Sequence, residues 1–146
     1  MANWMQGHYT PTHPEKYVGN VKPKYRSSWE LAFFRFCDNH PSVLQWASEA
    51  VQIPYRNPFS GKQTVYVPDV FVMFQDKNGK QRAELIEIKP SSQTMIQEGR
   101  KVSEKDRATI AINHAKWKAA AQWCRFKNIT FRVVTERDLF QQVKHG

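Results

Sequence analysis

At 146 residues the chain has room for one compact domain, and with 40% hydrophobic and 13% aromatic residues it can bury a real core, which excludes wholesale disorder. No apolar run approaches the ~18–20 residues that span a bilayer, and two cysteines, Cys37 and Cys124, are too few for a disulfide framework or a zinc site. A net charge of +9 and a pI of about 9.7 point to a polyanionic partner, most simply nucleic acid.

Residues 1–26 hold Pro11, Pro14 and Pro23, two glycines and four aromatic residues, and read as an irregular arm draped over a domain formed by residues 27–146. Met1–Gln6 lacks the charged and apolar regions of a signal peptide, so an intracellular protein is expected. Ser27 or Ser28 can cap a helix with Trp29, Phe33 and Phe36 at helical spacing, ended near Asn39 by Pro41. Short strands are expected around Leu44–Trp46 and Val51–Ile53, then a turn at Asn57–Gly61. Thr64–Phe74 reads as one strand and Arg82–Ile88 as its hairpin partner, across a turn at Asp76–Lys80.

Ser91–Lys105 is polar and expected to be mobile. Arg107–Phe126 is the best helix, with Ile110, His114, Trp117, Ala121 and Cys124 along one stripe. A strand at Ile129–Val134 and a closing helix at Glu136–Val143 complete the chain. The order is that of an α/β domain with a mixed sheet flanked by helices.

Charge is unevenly spread. Residues 100–127 carry eight basic and two acidic residues, while residues 61–99 are balanced at five of each. A solubilising surface would scatter its charge. Clustering favours a binding face made by Arg100, Lys101, Lys105, Arg107, Lys116 and Lys118. Asn113 and Lys116, three residues apart, share one side of the helix, which puts the lysine either in solvent or toward the reacting bond. His114, on the apolar stripe, is expected in the core, Trp117 and Trp123 in packing, and both cysteines as buried small hydrophobes.

Four residues form the chemical constellation: Glu30, Asp69, Glu87 and Lys89. Along Glu84–Lys89 the side chains alternate, so Leu85, Glu87 and Lys89 share one face and Ile86 and Ile88 the other. Residues two apart on a strand are separated by ~6–7 Å, which suits a carboxylate and an ammonium acting on one phosphate. Whether Asp69 joins them depends on the turn. A two-residue Asn78-Gly79 loop pairs Asp69 with Ile88, whereas a three-residue loop with Gly79 left-handed pairs it with Glu87; both loops are common.

Two carboxylates on one face repel unless protonated or bridged by a cation, and an all-oxygen site suits Mg²⁺ or Mn²⁺ rather than zinc. Glu30, in the first helix, is placed to reach such a metal directly or through water. Singly, each acid is an ordinary surface group, Lys89 an edge lysine and Glu30 a first-turn acid. Together they are more specific.

Pro68-Asp69 and, eighteen positions after the aspartate, Glu87-Ile88-Lys89 resemble the PD-(D/E)xK nuclease superfamily. The likeness extends over most of the chain. Tyr25–Glu30, Cys37–Asn39, Pro41–Val43, Trp46, Ser48–Glu49, Ile53–Tyr55, Gln93-Thr94, Asn113–Lys118 and Thr135–Leu139 resemble the head completion nucleases of T4-like tailed phages, with TnsA-type endonucleases more distant relatives. The resemblance implies a restriction-endonuclease-like fold and Mg²⁺-dependent cleavage of double-stranded DNA, with Glu30, Asp69, Glu87 and Lys89 as the active site. It further implies trimming or nicking of packaged DNA before heads join tails, contacts with head or portal proteins, and residence in the host cytoplasm or the virion. Two other readings stand beside it: a non-catalytic head or DNA-binding protein on the same fold, and a cellular transposition or repair nuclease. An intact acidic trio disfavours the first, because a pure binder gains by shedding acids that face phosphate.

Overall fold

The computed structural model describes residues 6–95 and 101–138. The arm begins with β1 (Gly7–His8), passes through a 3₁₀ turn at Pro14–Lys16, and returns as β2 (Lys24–Tyr25), antiparallel to β1. It lies on the domain: Tyr17 bridges to Trp46, and its ring meets the indole edge-on at 4.8 Å. A buried carboxylate fastens it. Asp38, at 0% exposure, accepts hydrogen bonds from the Tyr9 hydroxyl and from the N–H groups of Thr12 and His13 at 2.7 and 2.9 Å. These donors outweigh its burial and lower its pKa. Lys16 meanwhile donates to the carbonyls of Asp38 and His40 at the end of the same helix.

That helix, α1 (Ser28–Asn39), starts as its cap predicts, with the Ser27 hydroxyl accepting from the Glu30 N–H at 3.1 Å. Its deepest apolar residues are Phe33, Phe34 and Cys37, while Trp29 and Phe36 are half-buried. After Pro41 the chain enters β3 (Val43–Ser48), then β4 (Ile53–Arg56), which pairs only with β5 (Gln63–Tyr66) in a separate hairpin. Next come β6 (Val70–Gln75) and β7 (Gln81–Ile88). The expected single strand over Thr64–Phe74 is therefore two. Val67-Pro68-Asp69 separates them, since Pro68 has no N–H for a ladder. The turn between β6 and β7 is the three-residue one. The Asp76 N–H donates to the Lys80 carbonyl at 2.9 Å, and Gly79 sits at φ +78°, a conformation costly for other residues.

The long helix α2 (Glu104–Phe126) is capped by Ser103, whose hydroxyl accepts from the Asp106 N–H, and leads to β8 (Thr130–Val134). The sheet order is β3-β6-β7-β8, antiparallel except for the parallel β7–β8 pair. That pair requires a crossover, and α2 supplies it. One sheet face packs on α1 and the arm through Trp46, Val70, Val72, Ile86, Ile88 and Val134. The other packs on α2 and the β4–β5 hairpin through Leu85, Ile53, Tyr66, Ala120 and Cys124. The molecule is thus a mixed α/β domain with its sheet between helices.

Two expectations about α2 need correction. Its buried residues are Ile110, Asn113, Ala120 and Cys124, so the inward stripe is rotated from the one read by hydrophobicity. His114 is exposed rather than in the core, its Nε2 lying 2.6 Å from the Thr94 carbonyl. Apolar character gave the wrong face because Asn113 turns inward to donate to the Gln93 carbonyl at 3.2 Å. Of the expected closing helix, Glu136–Asp138 is helical and the remainder lies outside the described residues, as does Arg100.

Candidate active site

The hairpin register decides the site. Val70 pairs with Ile86 and Gln75 with Gln81, so extending the ladder by one residue sets Asp69 opposite Glu87. The Asp69 carboxylate accepts from the Ile88 N–H at 2.7 Å, which anchors the carboxyl where the strand has broken at Pro68. Glu87, at 4% exposure, faces α2 and the β4–β5 hairpin, as the alternation with Ile86 and Ile88 demands. Lys89 lies on the same face, its Nζ 3.8 Å from a Glu87 carboxylate oxygen.

The two carboxyls lie close enough to hydrogen-bond to each other. Burial first, then the charge of Glu87, pushes Asp69 well above the usual carboxylate range. Burial likewise raises Glu87, against the pull of Lys89 and of the Asp69 contact. Without a cation the pair therefore keeps a proton to higher pH than a lone carboxyl does. Glu30 approaches from the first turn of α1. Burial, followed by the charge of Asp69, pushes it up to about 7, with Arg26 and Ser27 pulling the other way. Arg26 is itself paired with Glu49.

Among the described residues no three His, Cys, Asp or Glu side chains gather closely enough to hold a metal ion by themselves. The structure brings Asp69, Glu87 and Lys89 together directly, and places Glu30 within electrostatic reach of Asp69. The donor set is entirely oxygen. Mg²⁺ is ordinarily held by one or two carboxylates, with water and substrate phosphate completing its shell, so these residues fit such an ion.

Lys116 also belongs here. Its Nζ stands 5.6 Å from the centre of the Tyr66 ring and 5.9 Å from that of Tyr55. Burial and the charge of Lys89 lower its pKa, while Glu87 and Asp69 raise it. It is half-buried, with the acids among its charged neighbours. Lys101, Lys105, Arg107 and Lys118 are exposed. Lys101 and Lys105 line a 410 Å³ cleft with Ser92 and Gln93, directly after the Lys89-Pro90 end of the motif.

Two residues next to Glu87 escaped the sequence reading as site residues. Tyr66 is buried, and its pKa rises through burial and then through the charges of Glu87 and Asp69. Trp117, taken as packing, presents its indole N–H to the same place. Neither polar group closes a hydrogen bond, a condition that costs about 1–3 kcal/mol for a buried group. The one available signal was Tyr66-Val67-Pro68-Asp69, a polar aromatic three residues before the acid.

This is the arrangement of a small α/β nuclease: a broken hairpin bearing two opposed acids and a lysine. The family described as TnsA-like endonuclease N terminal matches residues 40–136, and the chain belongs to it. The chain is also similar to the head completion nuclease of Enterobacteria phage T4, at 33% identity over 142 residues, covering 91% of this chain and 92% of that protein. Both likenesses support a nuclease role, in agreement with the resemblance read from the motifs. No helix among the described residues is long and apolar enough to cross a membrane.

Proposed function

We propose that this chain is a Mg²⁺-dependent DNA endonuclease that nicks or trims packaged phage DNA during head completion. The observation that carries the reading is the register-paired Asp69 and Glu87 carboxyls with Lys89 on the same face. Asp69 and Glu87 hold the divalent ion, with Glu30 reaching it through water, and Mn²⁺ would serve as well. When bound, the ion supplies Lewis-acid polarisation of the phosphodiester and a more acidic water. Lys89 orients that water and offsets charge growing on the phosphate.

Burial of Glu87 keeps bulk water from the reacting centre. The exposed Lys101, Lys105, Arg107 and Lys118, with Lys116 further in and Arg100 in the same basic stretch, follow the phosphate backbone of duplex DNA. In this reading the partners are double-stranded DNA and head or portal proteins, and the setting is the host cytoplasm or the virion.

The test is nicking of supercoiled plasmid in Mg²⁺ and in EDTA. Wild type should nick only with Mg²⁺. Asp69→Ala and Glu87→Ala should stay folded, because burial already disfavours each of these acids, and should lose activity. Nicking by either folded variant would refute the assignment.

A further inference from the structure

Buried polar groups without partners are rare and call for an explanation. Here two of them lie side by side against one carboxylate. Tyr66 is 4% exposed, and its hydroxyl has no hydrogen bond; the Trp117 indole N–H, also buried, has none. They come from different elements. Tyr66 ends β5, held opposite Ile53 across the β4–β5 hairpin, three residues before Asp69. Trp117 sits midway along α2. The Tyr66 hydroxyl has Glu87 and Trp117 as its polar neighbours, and its nearness favours the charged form of Glu87.

The chemistry of these groups allows one order. An indole N–H only donates, a carboxylate only accepts, and a phenol does both. Any hydrogen bonds these groups form with one another must therefore run from Trp117 to the Tyr66 oxygen and from Tyr66 to Glu87. Lys116, 5.6 Å from the centre of the Tyr66 ring, steadies the ring by a cation–π contact.

We propose that Tyr66 is a positioning residue for the metal-binding carboxylate: Trp117 Nε1–H donates to Tyr66, and the Tyr66 hydroxyl donates to Glu87, fixing that side chain to hold a divalent cation. Metal-ligating carboxylates are characteristically hydrogen-bonded from behind in this way. The proposal rests on the reading of Asp69 and Glu87 as metal ligands. It accounts for the unpaired Tyr66 hydroxyl, whose acceptor Glu87 is engaged with Asp69 and Lys89.

The test uses Tyr66→Phe in the full chain, which removes only the hydroxyl. Mn²⁺ alone is titrated calorimetrically without DNA, thermal melting is followed with and without Mn²⁺, and plasmid nicking is titrated with Mg²⁺. The expected result has two opposite signs. The metal-free variant melts at the wild-type temperature or higher, because an unpaired buried hydroxyl is gone. Its Mn²⁺ dissociation constant rises roughly ten-fold, and the Mg²⁺ needed for half-maximal nicking rises with it. A merely structural role would lower the metal-free melting temperature and leave metal affinity alone.

If wild type binds Mn²⁺ and Tyr66→Phe binds it equally well, the Tyr66 assignment falls and the metal reading stands. If wild type binds no Mn²⁺, both fall together. Should Tyr66→Phe not fold, Trp117→Phe tests the same relay. A weaker Mn²⁺ affinity in that variant supports it, and an unchanged affinity overturns it.

Discussion

Glu30→Gln should make the metal-free protein more stable and the enzyme inactive. In the folded chain the Glu30 carboxyl keeps its proton up to about pH 7, against 4.5 for an ordinary glutamate, because burial and Asp69 disfavour its charge. Folding therefore takes up a proton between those two values. The stability this group contributes is fully present below about pH 4.5 and is lost as pH rises through about 7.

A shift of that size corresponds to about 3 kcal/mol, and partial exposure of the side chain reduces it by screening to roughly 1.5 kcal/mol. Glutamine keeps the length and the accepting oxygen toward the start of α1 but never ionises. At pH 8 in EDTA, Glu30→Gln should melt about 3–6 °C higher than wild type, at 2–4 °C per kcal/mol for a chain of this size. At pH 4.5 the two should melt together. Circular dichroism melts at both pH values decide the matter, with plasmid nicking in Mg²⁺ run in parallel to show the loss of activity. Equal melting shifts at pH 4.5 and pH 8, or a lower melting temperature at pH 8, would refute the electrostatic argument.

Replacing Lys101, Lys105 and Arg107 with alanine should weaken DNA binding for all sequences alike. Measured by fluorescence anisotropy across a salt series, the slope of log affinity should flatten by about 0.9 for each phosphate left unneutralised, and an unchanged slope would leave these residues a solubilising role only. Asp38→Ala strands the Tyr9 hydroxyl and the Thr12 and His13 N–H groups and should cost about 2–4 kcal/mol in urea melts. Proteolysis should then cut residues 6–26 first, and resistance equal to wild type would show that the arm is held by its aromatic contacts instead. Since Asp38 has a lowered pKa, its contribution is lost as pH falls below the ordinary aspartate range, the reverse of Glu30, so the Asp38→Ala and wild-type melting curves should converge in acid.

Much of this molecule is legible locally. Caps, breakers and alternation act over a few residues, so Ser27 and Pro41 bracket α1, and the strand period assigns Glu87 and Lys89 to one face and Ile86 and Ile88 to the other. Asp69, Glu87 and Lys89 stand out as candidates because Pro-Asp and Glu-x-Lys are short motifs, and Glu30 because it lies in the capped first turn of α1. Long-range geometry was not legible. Both hairpin loops were compatible with Asn78-Gly79, and only the folded sheet selects the one that sets Asp69 opposite Glu87. The strand broken at Pro68 looked continuous because Thr64–Tyr66 and Val70–Phe74 share strand composition while pairing with different partners.

The inward face of α2 was misread for a related reason. Hydrophobicity describes a side chain, whereas Asn113 is buried with its amide donating to a carbonyl twenty residues away. Tyr66 and Trp117 are fifty-one residues apart, and nothing in either segment announces the other. Their meeting at Glu87 is a property of the packed β4–β5 hairpin, β7 and α2. Local propensity acts within a turn of chain, but the proximity of donors to an acid is determined only when the layers close on each other.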